Sequence, residues 1–172
     1  MTISDDSVRK YTLVVSQYEK STTIDFTLRV YSTLPFNLRR IGDPYKYKQE
    51  ITNASWRGQL AGGCSNNPST YPNNPRFQFK ADSDCQILVE LKAPKEFQIG
   101  FDILCVIATD PKSPRYFKRK SSGSYRPGFV VLPLDLTAGT YDIVPSTFKP
   151  GQESAFFLNV RSNIPIKVSR LQ

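Results

Sequence analysis

The densest run of side-chain charge lies between Lys112 and Arg126. Lys112, Arg115, Lys118, Arg119, Lys120 and Arg126 occur there without a single carboxylate, and Tyr116, Phe117 and Tyr125 are interleaved with them. Ser121-Ser122-Gly123-Ser124 supplies small residues for a tip. The chemistry such a run offers is attraction of anions. Each cation held near an anionic bilayer contributes about 1 kcal/mol, and salt screens much of that. Three readings stay open: an anionic phospholipid surface, an anionic protein surface, or a solvated hairpin loop. Nucleic acid is a fourth partner that charge permits, since aromatics among cations suit single strands. No RNA-binding or zinc-knuckle motif accompanies them, which argues against it.

Covalent chemistry is narrowly bounded. The chain has no histidine, so neither a Ser-His-Asp nor a Cys-His-Asn arrangement can be built from it alone. No catalytic residues are assigned. Cys64, Cys85 and Cys105 are the only thiols, one short of the usual structural zinc set. No carboxylate pair sits in a glycosidase-like motif. The odd cysteine count and wide spacing argue against a disulfide framework and for a reducing compartment, the cytoplasm, with recruitment to membranes as an extension. The Asn53-Ala54-Ser55 sequon is the one opposing signal. The polar, acidic Met1–Asp6 does not read as a signal peptide. A net charge of +8 on 172 residues fits an anionic partner without choosing one.

The elements that must carry these residues are short and β-rich. Phe26, Leu28 and Val30 share a parity within 25–31, and Tyr11–Val15 reads as a further strand. Cys85, Ile87, Val89 and Leu91 alternate, as do Ile99, Phe101, Ile103, Cys105 and Ile107. Period two marks a strand with one buried face. Leu104, Val106 and Ala108 on the other parity place the 99–107 strand centrally. Segments 129–132, 141–144 and 156–160 complete the set, separated by Asp110-Pro111, Ser122-Gly123, Ala138-Gly139 and Pro150-Gly151. No stretch holds a 3.6-residue apolar period, so the fold expected is an all-β antiparallel β-sandwich.

An internal repeat organises the chain. Residues 11–41 align without a gap on 141–171, with nine identities in 31 positions, among them Tyr11/Tyr141, Phe26/Phe156, Leu28/Leu158, Val30/Val160 and Pro35/Pro165. The offset of 130 is the size of one sandwich domain. Residues 1–43 are therefore expected to be the closing strands of a preceding copy plus a linker, and 44–172 a complete second copy. The competing reading is two similar hairpins within one sandwich.

Two stretches carry a family resemblance. Trp56-Arg57-Gly58-Gln59-Leu60-Ala61-Gly62-Gly63-Cys64, followed by Asn74-Pro75-Arg76-Phe77, is similar to the tryptophan, Gly-Gly-Cys turn and Asn-Pro strand entry of calpain domain III. Gly139-Thr140-Tyr141 and Pro145-Ser146-Thr147-Phe148-Lys149-Pro150 resemble the same family's later motif. The two-unit arrangement is similar to the PalB-like calpains, which carry two such domains at the C-terminus, with Gln172 then near the natural end.

The resemblance implies a C2-like fold and a non-catalytic regulatory module. Such a module positions a cysteine endopeptidase domain lying upstream in the same chain, beside a sister C2-like domain. It also implies calcium and phospholipid responsiveness through an acidic loop. Here that stretch holds only Asp82 and Asp84, too few for a tight site unless Asp110 or Asp142 converges on them. They are weak calcium candidates, and no cofactor is assigned. The contrasting hypothesis is a free-standing β-sandwich interaction protein with no attached protease. In either case Gly62 and Gly63 are expected to supply positive φ, Trp56 to plug one end of the sandwich, and Cys64 to pack in its turn.

Overall fold

Alternation becomes pairing wherever a strand finds neighbours on both sides. The computed structural model describes residues 11–16 and 23–172 and divides into two units, Met1–Arg40 and Ile41–Gln172. The second unit holds β1 (Tyr47–Trp56), β2 (Phe77–Ala81), β3 (Cys85–Lys92), β4 (Gln98–Ala108), β5 (Arg119–Ser121), β6 (Arg126–Pro127), β7 (Phe129–Leu136), β8 (Gly139–Thr147), β9 (Ser154–Ser162) and β10 (Ser169–Arg170). They form a four-stranded sheet ordered β1-β9-β3-β7 and a six-stranded sheet ordered β10-β2-β8-β4-β5, with β6 also on β4. Every pairing is antiparallel, so the expected all-β sandwich is what forms.

The core lies between the sheets. Ile87, Val89 and Leu91 of β3 meet Phe156, Leu158 and Val160 of β9 on one side, and Ile99, Phe101 and Ile103 of β4 meet Tyr141 and Ile143 of β8 on the other. Trp56 ends β1 fully buried, 4.4 Å from the Phe156 ring centroid. Its indole Nε1 donates to the Pro145 carbonyl at 3.0 Å, tying the four-stranded sheet to the six-stranded one. One large side chain thus supplies apolar volume and a satisfied polar handle.

β4 is an interior strand, with β8 on one side and the short edge strands β5 and β6 on the other. Its alternation stops early. A register irregularity between Cys105 and Ile107 turns Ile107 outward, leaving it 62 % exposed, because one extra residue in a strand reverses the faces beyond it. The 11–15 and 25–31 segments also depart from expectation. Residues 11–16 and 23–40 contain no strand, and Phe26, Leu28 and Val30 are exposed. Their counterparts in β8 and β9 each have two hydrogen-bonded neighbours. The described residues of the first unit include no such neighbour, and an isolated strand does not hold its shape in water. Residues 1–10 and 17–22, which include part of the repeat, lie outside the described residues.

The segment from Arg57 to Arg76 covers the outer face of the six-stranded sheet. Asn74, fully buried, is its hub. Its Oδ1 accepts from Gly62 N at 3.1 Å, and its Nδ2 donates to the carbonyls of Gly63 at 2.7 Å and Tyr71 at 3.0 Å. Of the two glycines only Gly63 has positive φ, at 74°. Gly62 is needed for closeness instead: a Cβ there would lie 2.1 Å from the Thr70 carbonyl oxygen. Removing the Asn74 amide strands the buried Gly62 donor and the Gly63 acceptor, while the Tyr71 carbonyl keeps the Asn74 backbone N–H. Asn74→Ala should cost about 2–4 kcal/mol of stability by urea titration followed through Trp56, while Asn73→Ala, at an exposed position, should stay within about 0.5 kcal/mol; equal effects would remove Asn74 as the hub.

Candidate functional site

The cationic run begins where β4 ends. Asp110 caps the first turn, accepting from Lys112 N at 3.0 Å, and Tyr116 N closes on Ser113 O at 2.9 Å. Cys105 N then donates to Lys118 O, and β5 pairs with β4 through Asp102↔Ser121, Ile103↔Lys120 and Leu104↔Arg119. The loop returns through β6, whose Arg126 pairs with Ile99.

The structure sorts the six cations into two groups. Arg119 donates to Asp102 Oδ2 at 2.7 Å, and its guanidinium lies 5.4 Å from the Tyr71 ring centroid. Asp102 is a carboxylate with 3 % of its side chain exposed, and it also accepts from the Tyr71 hydroxyl at 2.6 Å. Arg115 reaches Asp84 at 3.3 Å. Lys112, Lys118, Lys120 and Arg126 are exposed and have no carboxylate partner among the described residues. They are the cations left to meet an anion.

The interleaved aromatics are mostly anchors. Phe117 packs 5.9 Å from Tyr141, and Tyr125 packs 5.6 Å from Phe148 while its hydroxyl pairs with Ser146 Oγ at 2.6 Å. Only Tyr116, 38 % exposed, offers a ring to solvent. A stacking platform for bases would need more.

The aspartates named for calcium are engaged elsewhere. Asp82 meets Lys80 at 2.7 Å, while Asp84 takes Arg115 and the Ala138 amide. Asp142 is buried and accepts from Gln78 at 2.9 Å and Arg76 at 3.3 Å. Among the described residues no three His, Cys, Asp or Glu side chains converge on a metal position.

The thiols point away from nucleophilic chemistry. Burial pushes Cys85 up to about 11, aided by the charge of Asp84, and burial also raises Cys105. Cys64 is buried in its turn, its amide donating to Phe148 O. The residues that sequence reasoning missed are Asp102 and Tyr71. The available signal was a lone acid in the otherwise apolar Ile99–Ile107 run.

A second surface lies on the outer face of the four-stranded sheet. Register places Phe157, Lys92 and Phe129 side by side, with Lys92 Nζ 5.6 Å from the Phe129 ring. A shallow cavity of about 540 Å³ opens beside them, lined by Lys48, Glu50, Glu90, Phe157 and Asn159. Asn159 Nδ2 donates to Glu90 Oε2, and its buried Oδ1 has no partner.

These features define an all-β, C2-like antiparallel sandwich with an exposed cationic loop. Residues 52–161 match the family described as calpain large subunit, domain III. The chain is 47 % identical over 163 residues to calpain-7 of Sus scrofa, covering 94 % of this chain and 20 % of that protein. It is 33 % identical over 166 residues to the calpain-like protease palB/RIM13 of Aspergillus oryzae, covering 94 % and 19 %. It is 29 % identical over 147 residues to the calpain-1 catalytic subunit of Gallus gallus, covering 67 % and 21 %. The chain belongs to the calpain family and carries its domain III, a non-catalytic domain. It spans about a fifth of the length of these relatives.

Two expectations follow. Arg119→Ala leaves Asp102 buried with only Tyr71, and should cost about 1–3 kcal/mol in chemical denaturation. That is less than for a fully buried pair because Arg119 is partly exposed. Lys120→Ala should cost within about 0.5 kcal/mol, and equal losses would deny Arg119 its structural role.

Alkaline pH should also destabilise the fold. Burial raises Cys85 from 9.0 to about 11 and Tyr125 from 10.0 to about 12. Their stabilising contribution is whole below pH 9 and is lost progressively as pH climbs toward 12. The urea midpoint should fall between about pH 8 and about pH 11; a flat profile would contradict this.

Proposed function

We propose that this chain is a docking module of a calpain-type cysteine protease, with Lys112, Lys118, Lys120 and Arg126 engaging an anionic phospholipid surface. The observation that carries this reading is the sorting of the cations. Arg119 is bound to buried Asp102 and Arg115 to exposed Asp84, and the Asp102 contact together with the β4–β5 pairing holds the loop to the sandwich. The four unpaired cations are then displayed on a fixed support, so little ordering is lost when they meet a planar anionic surface. In this reading the protease domain lies elsewhere in a longer protein, cleavage is its work, and the module works in the cytoplasm and brings the protease to membranes.

The repeat supports a tandem arrangement within that longer protein. Residues 11–41 carry the strand-forming residues of 141–171 yet contain no strand among the described ones. Residues 1–43 are accordingly read as closing strands of a preceding C2-like copy.

A second reading rests on the outer face of the four-stranded sheet. Exposed Phe129, Val131 and Phe157 beside mixed charges suit a protein surface better than a bilayer. A C2-like interaction domain without lipid affinity would use that face.

Vesicle co-sedimentation separates the two. Binding to phosphatidylcholine vesicles containing phosphatidylserine should exceed binding to phosphatidylcholine alone. It should fall at least about tenfold when Lys112, Lys118, Lys120 and Arg126 are changed to Glu, and should weaken as salt is raised. Equal binding to both vesicle types would end the lipid reading.

A further inference from the structure

The cationic loop contains its own candidate for regulation. Lys118-Arg119-Lys120 immediately precede Ser121 and Ser122, and serine kinases of the basophilic class select acceptors with cations two and three residues before the hydroxyl. Only the three serines of the tip compete. Ser122 is committed to the fold: its amide donates to Phe101 O at 2.8 Å and its Oγ accepts from Phe101 N at 3.0 Å. Ser124 is exposed, but the residues two and three before it are Ser122 and Ser121. Ser121 is exposed, has Arg119 and Lys118 at those positions, and bonds only locally, its Oγ accepting from Gly123 N at 3.1 Å with a long contact to Gly123 O. It ends β5, a three-residue edge strand whose only partner among the described residues is β4, so presenting it to a kinase requires little unfolding.

The consequence follows from register. Ser121 lies directly across from Asp102, so the two side chains share a face of the sheet, and Arg119, two residues earlier, lies on that face as well. Asp102 holds Arg119 at 2.7 Å and Tyr71 at 2.6 Å. A phosphate on Ser121 brings about −1.5 to −2 of charge beside a buried carboxylate and within reach of that carboxylate's own cation.

We infer that Ser121 is a phosphorylation site for a basophilic serine kinase, and that its phosphate competes with Asp102 for Arg119, loosening β5 and lowering the net positive charge of the loop. The inference deepens the docking proposal and rests on it for its role. In the transfer, Ser121 Oγ forms a bond to the γ-phosphorus of ATP as the bond to the β,γ-bridging oxygen breaks. ADP leaves, and the hydroxyl proton passes to the kinase's base and then to water. The result is an electrostatic release switch.

The test incubates the full chain with ATP and the catalytic subunit of the cAMP-dependent kinase. It then locates phosphate by mass spectrometry and measures hydrogen exchange and vesicle binding. The expected result is phosphate on Ser121 and faster amide exchange across 102–104 and 119–121. Binding to phosphatidylserine vesicles should weaken about tenfold, with the uptake abolished in Ser121→Ala and retained in Ser124→Ala. Phosphate confined to Ser122 or Ser124, or no uptake, overturns the inference. So does phosphate on Ser121 with unchanged exchange and unchanged vesicle binding. If the unmodified chain ignores anionic vesicles, the docking proposal fails and the release role fails with it. The phosphate position and exchange data still decide separately whether Ser121 is modified and whether it frees Arg119.

Discussion

A charge buried on the outer face of a sheet must be paired, and that requirement at Asp102 organises one side of this molecule. The carboxylate lies in β4, an interior strand of the six-stranded sheet. Its partners come from outside that strand: Tyr71 from the covering segment 57–76 and Arg119 from the edge strand β5. Burial and the hydrogen bond to Asp102 raise the Tyr71 hydroxyl well above its ordinary value, so it remains a donor at any physiological pH. Asp142 repeats the device one strand over with Arg76 and Gln78. Two carboxylates thus fasten a cover to a sheet face that water would otherwise meet. Such pairs add little net stability, but losing one partner strands a buried charge. Through Arg119, the Asp102 pair ties the cationic loop to the sheet.

The same constraint decides which charges are available. A run of six cations looks uniform in sequence. In three dimensions Arg119 and Arg115 are paired, and the lysines with Arg126 are exposed without a carboxylate partner among the described residues. The two groups differ in what holds them: pairing with Asp102 and Asp84 for the arginines, hydration for the rest. Arginine suits the first task because its planar fork keeps its charge and bonds a carboxylate with defined geometry, and lysine suits the second as a hydrated point charge.

Much of the sandwich was legible because a half-buried strand leaves a period-two trace. The faces of β3, β4 and β9 follow from Ile87, Phe101 and Leu158 and their parity. β1 left a weaker trace, since an irregularity between Ile51 and Ala54 breaks its register on β9. The exposed Ile107 has the same kind of cause. Alternation at 25–31 predicts a strand that the described residues do not form, because pattern states which face a strand would bury and not whether a neighbour is there. The cationic surface was legible as composition. Its division was not, since it depends on Asp102 and Asp84, and Asp84 lies 31 positions from Arg115. Asn74 reads as a turn residue in sequence. Its role as a hub emerges only when Gly62, Gly63 and Tyr71 fold around it.

The docking proposal turns on which surface of this calpain domain III an anionic membrane would cover. Hydrogen exchange of the full chain, with and without phosphatidylserine vesicles, reads that directly. The account predicts slowed exchange confined to residues 112–126, with the outer face of the four-stranded sheet around Phe129 and Phe157 unchanged. Protection of that face with none at 112–126 would contradict it.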